Sequence, residues 1–136
     1  MGAESAAAWF AKAQNDIAMI RNGLLGPMPS AEGAAFHCQQ AVEKLLKGVL
    51  AADDRIAART HDIAELLRQL GADHPLAAAF APLDHLTVFA VQFRYPAMIG
   101  DEPDPPTPEA VTAWLGAIEA LKLAVDRYIR TTDDPP

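Results

Sequence analysis

The chain has 136 residues and a formal net charge of −7, and just over half of its residues are hydrophobic. That suits one domain around one core. The acidic balance excludes broad, non-specific binding to nucleic acid, which calls for a basic surface. The charge is uneven: residues 1–70 hold seven Lys/Arg against eight Asp/Glu, and residues 71–136 hold four against ten. A local basic patch therefore has room in the first half, where Lys44, Lys47, Arg55, Arg59 and Arg68 lie.

Alanine dominates the apolar fraction, no segment alternates at period two for long, and β-branched and aromatic residues are sparse. The expectation is an all-α fold, a compact antiparallel bundle of about five helices. The first helix is expected from about Glu4 to Asn22, with Trp9, Ala13, Ile17 and Ile20 at helical spacing and a stop at Asn22-Gly23. Gly26-Pro27-Met28-Pro29 reads as a rigid turn. Ser30 caps a second helix that runs to about Ala52.

That second helix has two chemically distinct faces. Ala34, Cys38, Ala41, Leu45 and Val49 fall together, flanked by Ala35, Val42 and Leu46. The arc is wide enough to meet two neighbouring helices, so this helix is expected at the centre of the bundle. The opposite arc collects His37, Gln40, Glu43, Lys44 and Lys47. Glu43 and Lys47 have the spacing of a helical ion pair, the lysines suit a solvated face, and Gln40 has the reach to bridge helices.

Thr60 or Asp62 caps a third helix carrying Ile63, Leu66, Leu67 and Leu70 and ending at Gly71. Asp73-His74-Pro75 looks like the start of a fourth, which Pro82 kinks or divides. Leu83, Leu86, Phe89 or Ala90, and Phe93 continue its apolar stripe to Pro96. Residues 100–106, Gly-Asp-Glu-Pro-Asp-Pro-Pro, are expected to be a mobile acidic loop. Thr107-Pro108-Glu109 starts a last helix to about Arg130, leaving residues 131–136 as a tail. The whole of 1–136 thus reads as a single domain with its core in about 4–130.

Cys38, the lone cysteine, lies on the apolar arc as a small core side chain. With no leader pattern at the start and no long apolar run, the expected location is the cytoplasm, away from any membrane. His37, His61, His74 and His85 show no metal-ligand spacing, and no phosphate-cradling glycine motif is present, so neither a metal nor another cofactor is expected.

Three pieces in order carry a resemblance: Ala35-Phe36-His37-Cys38-Gln39-Gln40-Ala41-Val42-Glu43-Lys44-Leu45-Leu46-Lys47, then Arg59-Thr60-His61-Asp62-Ile63, then Phe93-Arg94-Tyr95-Pro96. Together with the amphipathic last helix, they resemble the HEPN domain family (higher eukaryotes and prokaryotes nucleotide-binding) over roughly Trp9 to Ile129. The resemblance implies a two-fold dimer and nucleotide or RNA as ligand. It also implies a nucleotidyltransferase partner, as in toxin–antitoxin pairs. The residues it brings forward for nucleotide or anion binding are Arg94, Tyr95, His37, Gln40, Lys44 and Lys47.

Some members of the family are metal-independent ribonucleases, with an arginine followed a few residues later by a histidine. Here Arg94 stands in the arginine's place, and Ile99, Gly100 and Asp101 occupy the positions where the histidine falls. Arg55 and His61 match the spacing formally but in the loop entering the third helix, the wrong place, and His61 belongs to the capping Thr-His-Asp. The expectation leans to a binding module that does not cleave. One alternative is a ribonuclease using Arg94 with His37 or His61, and the other is a purely structural interaction subunit.

Overall fold

A computed structural model describes residues 2–92 and 105–133, with side chains over 5–90 and 105–132. Six α-helices and one 3-10 helix make up these residues, with no strand among them. They are α1 (Gly2–Leu25), α2 (Ala31–Ala52), α3 (Ile63–Leu70), α4 (Ala77–Phe80), the 3-10 helix (Ala81–Thr87), α5 (Val88–Gln92) and α6 (Pro108–Asp133). The expected fourth helix is the composite of α4, the 3-10 turn and α5, so the bundle is the all-α architecture read from the sequence. Arg94, Tyr95, Phe93 and Pro96, and residues 100–104 of the acidic loop, lie outside the described residues.

α1 and α2 form an antiparallel hairpin. Gly23 lies against Ala34, Asp16 bonds to His37 and Lys44, and Trp9 lies against Gly48, so numbers fall on one helix as they rise on the other. α6 runs back along α1, with Arg21 paired to Glu119 near one end and Ile129 beside Gly48 at the other. α2 sits at the centre, touching α1, α3, α5, α6 and the 3-10 helix. Its whole apolar arc, from Ala34 through Val49, is removed from solvent.

Gly23 does not end α1, as the Asn22-Gly23 pair had suggested. The helix runs on to Leu25 and stops at Gly26, whose amide bonds to the Asn22 carbonyl at 2.9 Å. A Cβ on Gly26 would lie 2.5 Å from that carbonyl oxygen, so the turn requires glycine. Gly23 serves a different need: its Cβ would stand 3.0 Å from Ala34 Cβ, so its bareness lets α1 and α2 converge.

The caps follow local chemistry. Ser30 accepts from the Gly33 amide at 3.0 Å, and Asp62 accepts from Ala64 at 2.9 Å. Thr107 accepts from Ala110 at 3.1 Å. These side chains satisfy amides that no preceding turn can reach. α6 continues past Arg130 to Asp133, three residues into the expected tail.

The composite fourth element departs most from a regular helix. It begins at Ala77, after Pro75, because His74 holds the preceding turn. The Leu76 amide donates to His74 Nδ1 at 3.1 Å. An amide can only donate, so Nδ1 carries no proton and Nε2 does. Nε2–H points to Asp53 Oδ2 at 3.0 Å, and the Tyr128 hydroxyl donates to Asp53 Oδ1 at 2.5 Å. This triangle ties the end of α2 to the α3–α4 turn and to α6. Pro82 lacks an amide hydrogen and crowds the preceding turn, and the chain winds as a 3-10 helix there. At three residues per turn, Phe80, Leu83 and Leu86 line up in one row on the core.

The triangle has a titration consequence. Burial, the hydrogen bond to Asp53 and its charge push the Tyr128 phenol from 10.0 up to about 12. The folded-state value lies above the unfolded one, so the contribution to stability is complete below pH 10 and is lost as pH rises through about 12. Tyr128→Phe should flatten the fall in stability over that alkaline window, read by urea midpoints at successive pH values. An unchanged alkaline slope would contradict the assignment.

Candidate functional site

The polar arc of α2 is not a solvated face. Gln40 is 8% exposed, Glu43 3% and Gln39 fully buried, while Lys44 and Lys47 are half-buried. The solvated-face expectation for the two lysines fails because two buried carboxylates organise the arc, one from each edge.

Asp16 reaches in from α1 and is 5% exposed. It accepts from His37 Nδ1 at 2.8 Å and from Lys44 Nζ at 2.5 Å. Glu43 repeats the arrangement on the α3 side: His61 Nδ1 at 2.8 Å, Gln39 Nε2 at 3.0 Å and Lys47 Nζ at 3.1 Å. Gln39 also donates to the His61 carbonyl at 3.1 Å and accepts from Gln40 Nε2 at 2.5 Å. Gln39, rather than Gln40, is the side chain that crosses between elements. Among the described residues, no buried side-chain nitrogen or oxygen lacks a partner.

Each carboxylate thus holds one histidine and one lysine. Burial raises the Glu43 pKa, but the hydrogen bonds from Gln39 and His61 and the charge of Lys47 outweigh it and hold the carboxyl below its ordinary 4.5. A carboxylate accepts, so each histidine donates through Nδ1 and, when neutral, presents a bare Nε2. The His61 side chain is 56% exposed and that of His37 24%. Neither Nε2 has a partner among the described residues. The two carboxylates balance the two ammonium groups, so this face carries no net charge while the imidazoles are neutral.

His37, Gln40, Lys44, Lys47 and His61 thus fall on one continuous network. The placement of Arg94 and Tyr95 against it lies outside the described residues. Of the two expected caps, Thr60 and Asp62, it is Asp62 that caps α3, and the His61 imidazole reaches back to Glu43 on α2. Reasoning from the sequence missed Asp16 and Gln39. The signal for Asp16 was present, since it stands at i+3 from Ala13 within the stripe Ala13, Ile17 and Ile20, where an acid has no place without a partner. Gln39 carried no such mark.

Cys38 is a core side chain, its thiol pushed up to about 12 by burial and so chemically quiet. Among the described residues, no three His, Cys, Asp or Glu side chains group as metal ligands. No described helix is long and apolar enough to cross a membrane.

An all-α bundle wound round one central helix, with a buried polar network along one face of that helix, defines the class. A family model for the HEPN domain matches residues 6–128, and the chain belongs to the HEPN family. As such it is a nucleotide- or RNA-related helical module. Searches of curated proteins and of solved structures give no match.

Proposed function

We propose that the chain is a non-cleaving HEPN module that recognises a nucleotide or RNA segment through the polar face of α2. It works as a homodimer beside a nucleotidyltransferase, in a toxin–antitoxin type of pair. The observation that carries the reading is the repeated set of carboxylate, histidine and lysine. Burying two carboxylates is costly unless every charge is met, and here the result is two imidazoles held at fixed angles. A bare Nε2 accepts a hydrogen bond from a ribose hydroxyl or a base amino group. Metal-free RNA cleavage also needs a cation for the charge that develops on phosphorus. Lys44 and Lys47 are each already neutralised by a carboxylate, and Ile99, Gly100 and Asp101 stand where a histidine would follow Arg94, which together favour recognition over cleavage.

Arg94 is the candidate for phosphate in this reading, on the strength of its place in the Arg-Tyr-Pro piece. Arg94→Ala should weaken nucleotide or RNA binding by about 1.5–3 kcal/mol, the range for a charge-assisted hydrogen bond, and leave the melting temperature unchanged. Wild-type protein should not cut RNA in the presence of a chelator. The side-chain imidazole NMR signals of His37 and His61 should move when RNA is added. Still signals with RNA present would end the proposal and leave a structural interaction subunit.

One observation favours the ribonuclease alternative. A histidine held at Nδ1 by a carboxylate is oriented for proton transfer at Nε2. Cleavage abolished by His37→Ala and by His61→Ala would replace recognition with catalysis.

A further inference from the structure

A groove of about 530 Å³ opens beside the polar face, between α1, the end of α2 and the loop that leads to α3. Its lining combines the apolar side chains of Trp9, Ala51, Ala57 and Ala58 with the cationic ones of Lys47, Arg55 and Arg59. Among the described residues, Asp54 is the one carboxylate on the lining. Lys47 and Lys12 hold their Nζ atoms 5.4 and 5.2 Å from the centre of the Trp9 ring, which keeps both cations close to the indole. With Lys47 paired to Glu43 and Asp54 set against Arg55, the positive charge left over on the described lining is that of Arg59.

The loop is pinned in place. Gln69 of α3 grips it at two points, accepting from the Ala58 amide at 2.9 Å and donating to the Ile56 carbonyl at 2.6 Å. The Arg55 guanidinium donates to the Gln69 and Leu70 carbonyls at the end of α3. The Arg55 amide returns to the Leu50 carbonyl at 2.8 Å, past Asp54 at φ 58°. Arg59, exposed, has no partner among the described residues. The result is a rigid concavity with apolar lining and a guanidinium that has no partner among the described residues, and its volume suits one small ligand. Because the loop is already ordered, a ligand would not bear the cost of ordering it.

We propose that this groove is a second ligand site, which takes a phosphomonoester borne on a flat apolar body, a mononucleotide being the simplest such molecule. The ring system lies against Trp9, Ala57 and Ala58. The phosphate meets Arg59, whose fork of N–H donors matches phosphate oxygens. The site stands apart from the histidine face and shares only Lys47 with it.

The test uses the full chain with Trp114→Phe, which leaves Trp9 as the reporting indole. Adenosine monophosphate, adenosine and inorganic phosphate are titrated separately against Trp9 fluorescence. Adenosine monophosphate should give a saturable change and bind about tenfold or more tightly than adenosine, the effect of one charge-assisted bond. Arg59→Ala should abolish that difference, Arg59→Lys should keep part of it, and both should retain the wild-type circular dichroism spectrum. His37→Ala and His61→Ala should leave the titration unchanged, which separates this site from the α2 face. Equal affinity for nucleotide and nucleoside would overturn the proposal, as would an absent response at millimolar nucleotide. Binding lost with His37→Ala but kept with Arg59→Ala would place the nucleotide on the α2 face instead.

Discussion

Glu43→Ala is expected to destabilise the protein by about 3–5 kcal/mol, the usual consequence of removing one partner from a buried ion pair. Glu43 is 3% exposed and the Lys47 side chain 11%. The truncation strands the ammonium group and takes an acceptor from Gln39 and from His61. Urea unfolding would read the loss. The double variant Glu43→Leu with Lys47→Met should recover most of it, because it removes both charges and keeps the volume. A double variant as unstable as the single one would mean that the pair itself stabilises the fold. Recovery of stability with loss of RNA-induced shifts at His61 would assign the pair to positioning that ring. The acid limb supplies a further check. Glu43 is held below its ordinary 4.5, so its contribution is complete above that pH and is lost as pH falls through the lower folded-state value. Glu43→Gln should make stability less steep there.

Phe80→Ala should cost about 3–5 kcal/mol, in the range for emptying a core aromatic position. Phe80 is fully buried and heads the row it forms with Leu83 and Leu86. The segment it anchors is built of a four-residue helix, a 3-10 stretch and a five-residue helix, none of which would persist alone. Its docking rests on those few knobs. Thermal unfolding would measure the loss, and hydrogen exchange should show it concentrated between residues 77 and 90. A cost under about 1 kcal/mol would mean that the row repacks freely.

The fold was legible where local chemistry decides. Ser30, Asp62 and Thr107 announce helix starts because their side chains do one job near at hand. The 3.6-residue stripe of α2 marked its buried arc residue by residue. The composite element was half legible: Pro82 announced a kink or a division, but the i,i+3 spacing of Leu83 and Leu86 suits an α-helix as well as the 3-10 stretch that is found. Gly23 misled because a glycine after asparagine looks the same whether it ends a helix or admits a neighbour. The site was least legible. A run of His, Gln, Glu and Lys on one helix reads as surface until an acid from elsewhere is seen to cover it, and Asp16 is 21 residues from His37 and 28 from Lys44. Gln69 and the loop it grips follow the same rule, since an amide that clamps a backbone 11 residues earlier leaves no periodic trace.

The triangle of Asp53, His74 and Tyr128 also sets an order in time. Tyr128 follows Asp53 by 75 residues. At about 5–20 residues per second, synthesis leaves the carboxylate waiting roughly 4–15 s for its phenol. Through that interval the hairpin of α1 and α2 can close on itself, but the side of α2 that α6 will cover stays bare. The nascent chain therefore passes through a stage in which its central helix is half sheathed, and α6 acts as the closing seam.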